Sequence, residues 1–167
     1  MSTTSSDQYV RSALAGHLDE RIVAAQWFRS PGGFEGKGLG RVLRGVFGGG
    51  DGHPADRLGS MNVLALTPTR LVAFAGRTGW GGLQVKEQIA EWPATEVVLE
   101  SRARQVRATK LTSASPTGVI GFDSDIVSVQ VALPGETRPL EMDMPADAAS
   151  QRLLDCVANR PGERRDA

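Results

Sequence analysis

Residue types that carry chemistry are sparse in this chain. Two histidines, His17 and His53, and one cysteine, Cys156, lie far apart in sequence. A nucleophile–base pair would need Cys156 or a serine beside one of these imidazoles, and no G-x-S-x-G elbow leads into a helix. His17 flanks an apolar stripe with helical spacing, where a histidine packs or meets water. His53 lies in Gly50–Asp51–Gly52–His53–Pro54, a turn composition. Asp51 and His53 could contribute to a metal site, but no HExxH or CxxC spacing supports one. Cys156 reads as a small apolar residue on a helix. No G-x-G-x-x-G and no GK[ST] occurs, so a phosphate-cradling loop is not expected. The acid pairs Asp123/Asp125 and Asp19/Glu20 fall in turns, where solvation explains them. The expectation is a binding domain with no catalytic residue, no metal and no cofactor.

One segment does have a constellation suited to binding. Residues 32–52 hold ten glycines in twenty-one positions, too many for regular structure throughout and too long for an ordinary turn. Within it Leu39, Val42, Leu43, Val46 and Phe47 recur at i, i+3, i+4, i+7 and i+8, one face of a short helix. Lys37, Arg41 and Arg44 occupy the other flank. Such a helix can fold back over its own barrel, dock in a partner's groove, or lie on an anionic membrane surface. Trp80, between Gly79 and Gly81, is a further candidate contact residue. Trp27, within a strand, and Trp92, beside Pro93 at a strand end, are expected in the core.

Charge adds little. Nineteen cations balance nineteen acids, which gives no reason to expect a nucleic-acid partner. Residues 101–118 carry Arg102, Arg104, Arg107 and Lys110 and no acid, whereas 119–150 carry six acids and one arginine. Arg102 and Arg104 share one face of an extended strand and could bind an anionic headgroup. A solvated face is the simpler account of them.

The elements that must position these residues follow from periodicity. Asp7 can cap a helix in which Val10, Leu14 and Leu18 form one buried stripe. Residues 21–29 read as a strand covered on both faces. Residues 62–67 and 70–75 form a hairpin turning at Pro68–Thr69, and the four glycines of 76–82 suggest a loop. Residues 83–92, 97–102 and 105–111 are further strands. Val127, Val129, Val131 and Leu133 alternate with polar residues, as do Leu140, Met142 and Met144 with Glu141 and Asp143, giving two strands with one wet face. Ala149, Leu153 and Val157 then define a closing helix that starts near Asp147 and stops at Asn159–Arg160–Pro161. An antiparallel meander of this size curls into a sandwich or barrel, and the last helix plugs its open side. Residues 1–6 and 160–167 read as tails, and 7–159 as a single domain with its glycine-rich insertion at 32–60. The first residues resemble no secretory signal and no apolar stretch is long enough to span a bilayer, which predicts a cytoplasmic protein. An excess of arginine over lysine, sixteen to three, fits a GC-rich genome.

The strand and turn Leu64–Phe74 (LALTPTRLVAF), the stretch Ile89–Ser101 (IAEWPATEVVLES) and the terminal helix following a strand resemble bacterial pleckstrin-homology-like domains. The LT-x-x-R-L turn is shared with the related GRAM-type domains. The resemblance runs over about residues 20–160 and implies a split antiparallel barrel of about seven strands, with a short helix before it and a C-terminal helix capping it. It also implies a non-catalytic module for lipids, peptides or proteins. A protein partner or a second copy, met through Leu39, Val42, Leu43, Val46, Phe47 and Trp80, is the first expectation. The alternative is an anionic membrane met through Lys37, Arg41, Arg44, Arg102 and Arg104; the remaining one is an enzyme of unrecognised type.

Overall fold

The computed structural model describes residues 6–33, 52–107, 123–133 and 135–160. Helix α1 (Ser6–Ala13) precedes strand β1 (Ala24–Phe28), and a 3-10 turn (Pro54–Arg57) leads into β2 (Asn62–Leu66), β3 (Arg70–Gly79) and β4 (Gly82–Pro93). Then come β5 (Leu99–Arg107), β6 (Asp123–Val131), β7 (Leu140–Pro145) and helix α2 (Ala148–Ala158). The strands form two antiparallel sheets in sequential order, β1-β2-β3-β4 and β5-β6-β7. The fold is thus mainly β, with two short helices, and the two sheets do not close into one. They meet on one side, where Arg29 and Asp143 exchange backbone bonds of 2.9 Å just beyond the end of β1. On the other side β4 and β5 are not paired.

The core lies on both faces of the first sheet. Inward-facing Phe28, Leu64, Leu66, Leu71 and Ala73 meet Val129, Val131, Leu140, Met142 and Met144 of the second sheet, with Leu153 of α2 above them. The outer face, built on Ala25, Trp27, Val63, Val72 and Phe74, is covered by Val10 and Leu14 of α1. Every residue of β1 and β2 is consequently buried, which is why the apolar residues of β1 do not alternate. Trp27 and Trp92 are core residues, each 2% exposed.

Local sequence explains the element ends. Thr67 accepts from the Arg70 N–H through its hydroxyl (3.0 Å) and donates its own N–H to the Arg70 carbonyl (2.9 Å), closing the turn around Pro68–Thr69. Asp147 caps α2 by accepting from the Ala149 and Ser150 N–H groups at 3.1 and 3.0 Å. Asp7, by contrast, is no cap. It lies inside the first turn of α1, where it holds Arg11 at 2.8 Å and accepts from the Ala25 N–H at 3.2 Å, tying the helix to β1. α1 also stops at Ala13, although Leu14 remains buried in the turn that follows.

Three further expectations are corrected. The loop expected at 76–82 is mostly strand: β3 runs to Gly79 and β4 restarts at Gly82, leaving only Trp80–Gly81 at the hairpin tip. Two of its glycines serve close approach. A Cβ on Gly76 would lie 2.6 Å from the Met61 carbonyl oxygen, and one on Gly82, which has φ +97°, would lie 2.2 Å from the Tyr9 hydroxyl. The strands expected at 97–102 and 105–111 are one strand, Leu99–Arg107. Asp143, assigned to a wet face, is 2% exposed.

Candidate functional site

On the unpaired side of the two sheets lies a groove of about 570 Å³ between β5 and α2. Its origin lies in how α2 is fastened. At the start of the helix, Gln26 of β1 donates to Asp147 (2.7 Å) and to the Ser150 hydroxyl (2.9 Å). Just past its end, Arg160 donates to the carbonyl oxygens of Pro68 (3.2 Å) and Thr67, in the β2–β3 turn. Both anchors belong to the first sheet, so the helix lies mainly over β1 and leaves β5 largely uncovered.

The residues of β5 then set the shape of the groove. Its inner face presents Leu99, Ser101 and Ala103, paired with Val131, Val129 and Val127 of β6. Ser101 and Ala103 are too small to fill the space below the helix, and both remain exposed. Opposite them α2 contributes Leu154, Asp155 and Ala158. The outer face of β5 carries Glu100, Arg102 and Arg104. Among the described residues no strand pairs with the second edge of β5, so its outward N–H and C=O groups border the groove.

A polar latch ties β5 to β6 and β7. Arg104 donates to the Ser128 hydroxyl (2.9 Å) and to the Asp143 carboxylate (3.0 Å), while Ser128 donates to Asp143 at 2.7 Å. The same carboxylate accepts from the Gly32 N–H at 3.1 Å. One buried acid of β7 therefore ties β5 and β6 to the chain just after β1. Arg104 is thereby partly neutralised, which weakens the expectation that Arg102 and Arg104 act together on an anionic headgroup.

The other conspicuous charges are structural. Arg70 of the LT-x-x-R-L turn lies between Glu20 (2.7 Å) and Glu91 (2.6 Å), and these two bonds raise its pKa further. The Thr69 hydroxyl at 2.5 Å, then Thr67 and Arg70, hold the Glu20 carboxyl below its ordinary 4.5. Burial alone lowers the Arg29 guanidinium.

The remaining sequence candidates fall apart in space. Leu39, Val42, Leu43, Val46, Phe47, Lys37, Arg41 and Arg44 lie outside the described residues. Trp80 is fully exposed at the β3–β4 tip, the far end of β4 from the groove. His17 is exposed and meets the edge of Phe74 on the outer face of the first sheet. His53 is buried. Its Nδ1 accepts from the Ala55 N–H at 3.1 Å, so Nε2 carries the proton and donates to the Arg138 carbonyl at 3.0 Å. Cys156 packs on the core from α2. These three line neither the groove nor the smaller cleft beside Pro31 and Pro139. No group of three or more metal-ligating side chains occurs among the described residues, nor a helix long and apolar enough to cross a membrane.

The groove residues Leu99, Ser101, Ala103, Leu154 and Ala158 were not singled out in the sequence. The signal was present as the alternation Leu-x-Ser-x-Ala, small residues on the inner face of a strand. No family model, curated protein or solved structure matches this chain.

Proposed function

We propose that this is a non-catalytic, cytoplasmic protein-binding domain of pleckstrin-homology-like, split-barrel type that accepts an extended segment along the free edge of β5, beneath α2. The observation that carries it is the β5 edge, unpaired among the described residues, with Ser101 and Ala103 leaving room under a helix whose two ends are anchored on β1 and the β2–β3 turn. A segment entering there gains main-chain bonds from β5 and places alternate side chains against Leu154 and Ala158. The split-barrel assignment is supported by four strands followed by three, the Arg29–Asp143 bridge on one side, and a helix after the last strand. Protein binding is retained from the sequence reading, with β5 and α2 in place of segment 39–47 as its surface.

The test uses a displayed library of random peptides selected against the full chain. Selected peptides are expected to slow amide exchange in residues 99–105 and to bind Ala103→Trp about tenfold or more weakly, because the indole fills the groove. No enrichment, or peptides that bind Ala103→Trp as well as the native chain, overturns the reading.

A further inference from the structure

We propose that the strand this groove accepts is β5 of a second copy of the chain, paired antiparallel about a two-fold axis at Ser101. The inference rests on β5 being a strand-accepting edge and adds which strand it takes.

Self-pairing of an edge strand is normally suppressed by its charges, so the register decides. In a continuous antiparallel sheet, residues opposite each other lie on the same face. The symmetry axis must therefore pass through a residue and not between two. An axis at Glu100 or at Arg102 sets a charge against its own copy. An axis at Ala103 sets Arg102 against Arg104 of the second copy. An axis at Ser101 sets Glu100 against Arg102 twice, with no like charges opposed. On the inner face it pairs Leu99 with Ala103, large against small, also twice, and brings the two Ser101 hydroxyls together.

Two independent features agree with that register. Arg104 falls opposite Val98, so its latch to Asp143 within its own chain is undisturbed. Val98 is, with Trp80, one of two exposed large apolar residues among those described, at 57%. The aliphatic stem of the incoming Arg104 would cover it. β5 also pairs with β6 over nine consecutive positions without a register shift, leaving a regular outer edge for a second strand.

The first experiment is cross-linking. Ser101→Cys, in a Cys156→Ser chain, is expected to form a disulfide-linked dimer on mild oxidation, since directly opposed residues lie within the Cα separation a disulfide requires. Ala103→Cys in the same chain is expected not to, because the two copies of residue 103 would stand four residues, about 13 Å, apart along the strand. The second is sedimentation equilibrium. Glu100→Arg and Arg102→Glu are each expected to weaken dimerisation by about tenfold or more. An equimolar mixture of the two variants, and the double swap, should recover it, which no folding defect would do. A chain that stays monomeric at high concentration, or a dimer indifferent to the single swaps, overturns the proposal. If selected peptides still bind the native groove and not Ala103→Trp, the strand-accepting edge survives that result; if they do not, both readings fall.

Discussion

Asp143 is the residue whose replacement tests the architecture most directly. Asp143→Ala deletes the acceptor shared by the Arg104 guanidinium, the Ser128 hydroxyl and the Gly32 N–H. A hydrogen bond involving a charged group contributes about 1.5–3 kcal/mol, and losing one partner of a buried ion pair costs about 3–5 kcal/mol. These figures do not add, and the Arg104 side chain is 40% exposed, so water compensates part of the loss. A net loss of about 3 kcal/mol is expected, a large share of the roughly 5–15 kcal/mol that holds a domain together. At this chain length that corresponds to a fall in Tm of about 10 °C. Asp143→Asn keeps the shape and one acceptor, and is expected to cost about half as much. Arg104→Met leaves the buried carboxylate two hydrogen-bond donors but no counter-charge, and should cost about 2–3 kcal/mol, comparable to Asp143→Ala. Urea unfolding of the three variants and of the Asp143→Ala/Arg104→Met double mutant gives the comparison, with unchanged m-values as the check on two-state behaviour. If Asp143→Ala lies within about 0.5 kcal/mol of the native chain, as ordinary surface substitutions do, the buried latch is wrong and Asp143 belongs to the wet face that the sequence pattern suggests.

Two further outcomes are expected. Glu20 has a folded pKa below its ordinary 4.5, chiefly through the Thr69 hydroxyl and then Thr67. Its contribution is therefore complete above the unfolded value and disappears as pH falls through the folded one, so acid unfolding of Glu20→Gln should show a shallower loss between about pH 5 and 3. An identical acid limb in the variant refutes the assignment. Trp80 is fully exposed while Trp27 and Trp92 are each 2% exposed, so acrylamide should quench one tryptophan of three. Trp80→Ala should remove that fraction while changing stability by less than about 0.5 kcal/mol; persistence of the quenchable emission would place another indole at the surface.

Much of the fold was legible because period-2 burial is enforced by the sheet itself. Val129, Val131, Leu140, Met142 and Met144 all point inward as their alternation requires, and Asp147 caps α2 because a carboxylate there satisfies two helix N–H groups. Misreadings arose where one residue answers to a distant one. Asp143 has the polar phase of its strand, and its partners Arg104, Ser128 and the Gly32 N–H all come from other elements. Gly76 and Gly82 look like loop residues until Gly59 and Tyr9 are brought against them. The groove was illegible for a similar reason. Ser101 and Ala103 are ordinary small residues until α2 is seen to be fastened at both ends to the opposite sheet.

The same logic distinguishes the two open edges at the split. Among the described residues β4 and β5 both lack a partner on that side, yet they are not equivalent. β4 pairs with β3 through two register shifts, at Ala73/Phe74 and Ala75/Gly76, and irregularities of this kind bend a strand and increase its twist. It also carries an ionic surface, with Glu87 bound to Arg57 at 2.7 Å and Glu91 to Arg70 at 2.6 Å. A strand adding to β4 would have to follow a bent edge and disturb those pairs, the ordinary means by which an edge is protected. β5 is unbroken over nine paired positions, has two small inward residues, and its Arg104–Asp143 pair points across its own sheet. A second strand can join β5 without breaking any bond described here. The corner between the sheets is thus open on both sides but receptive on one, and that is the side α2 leaves uncovered.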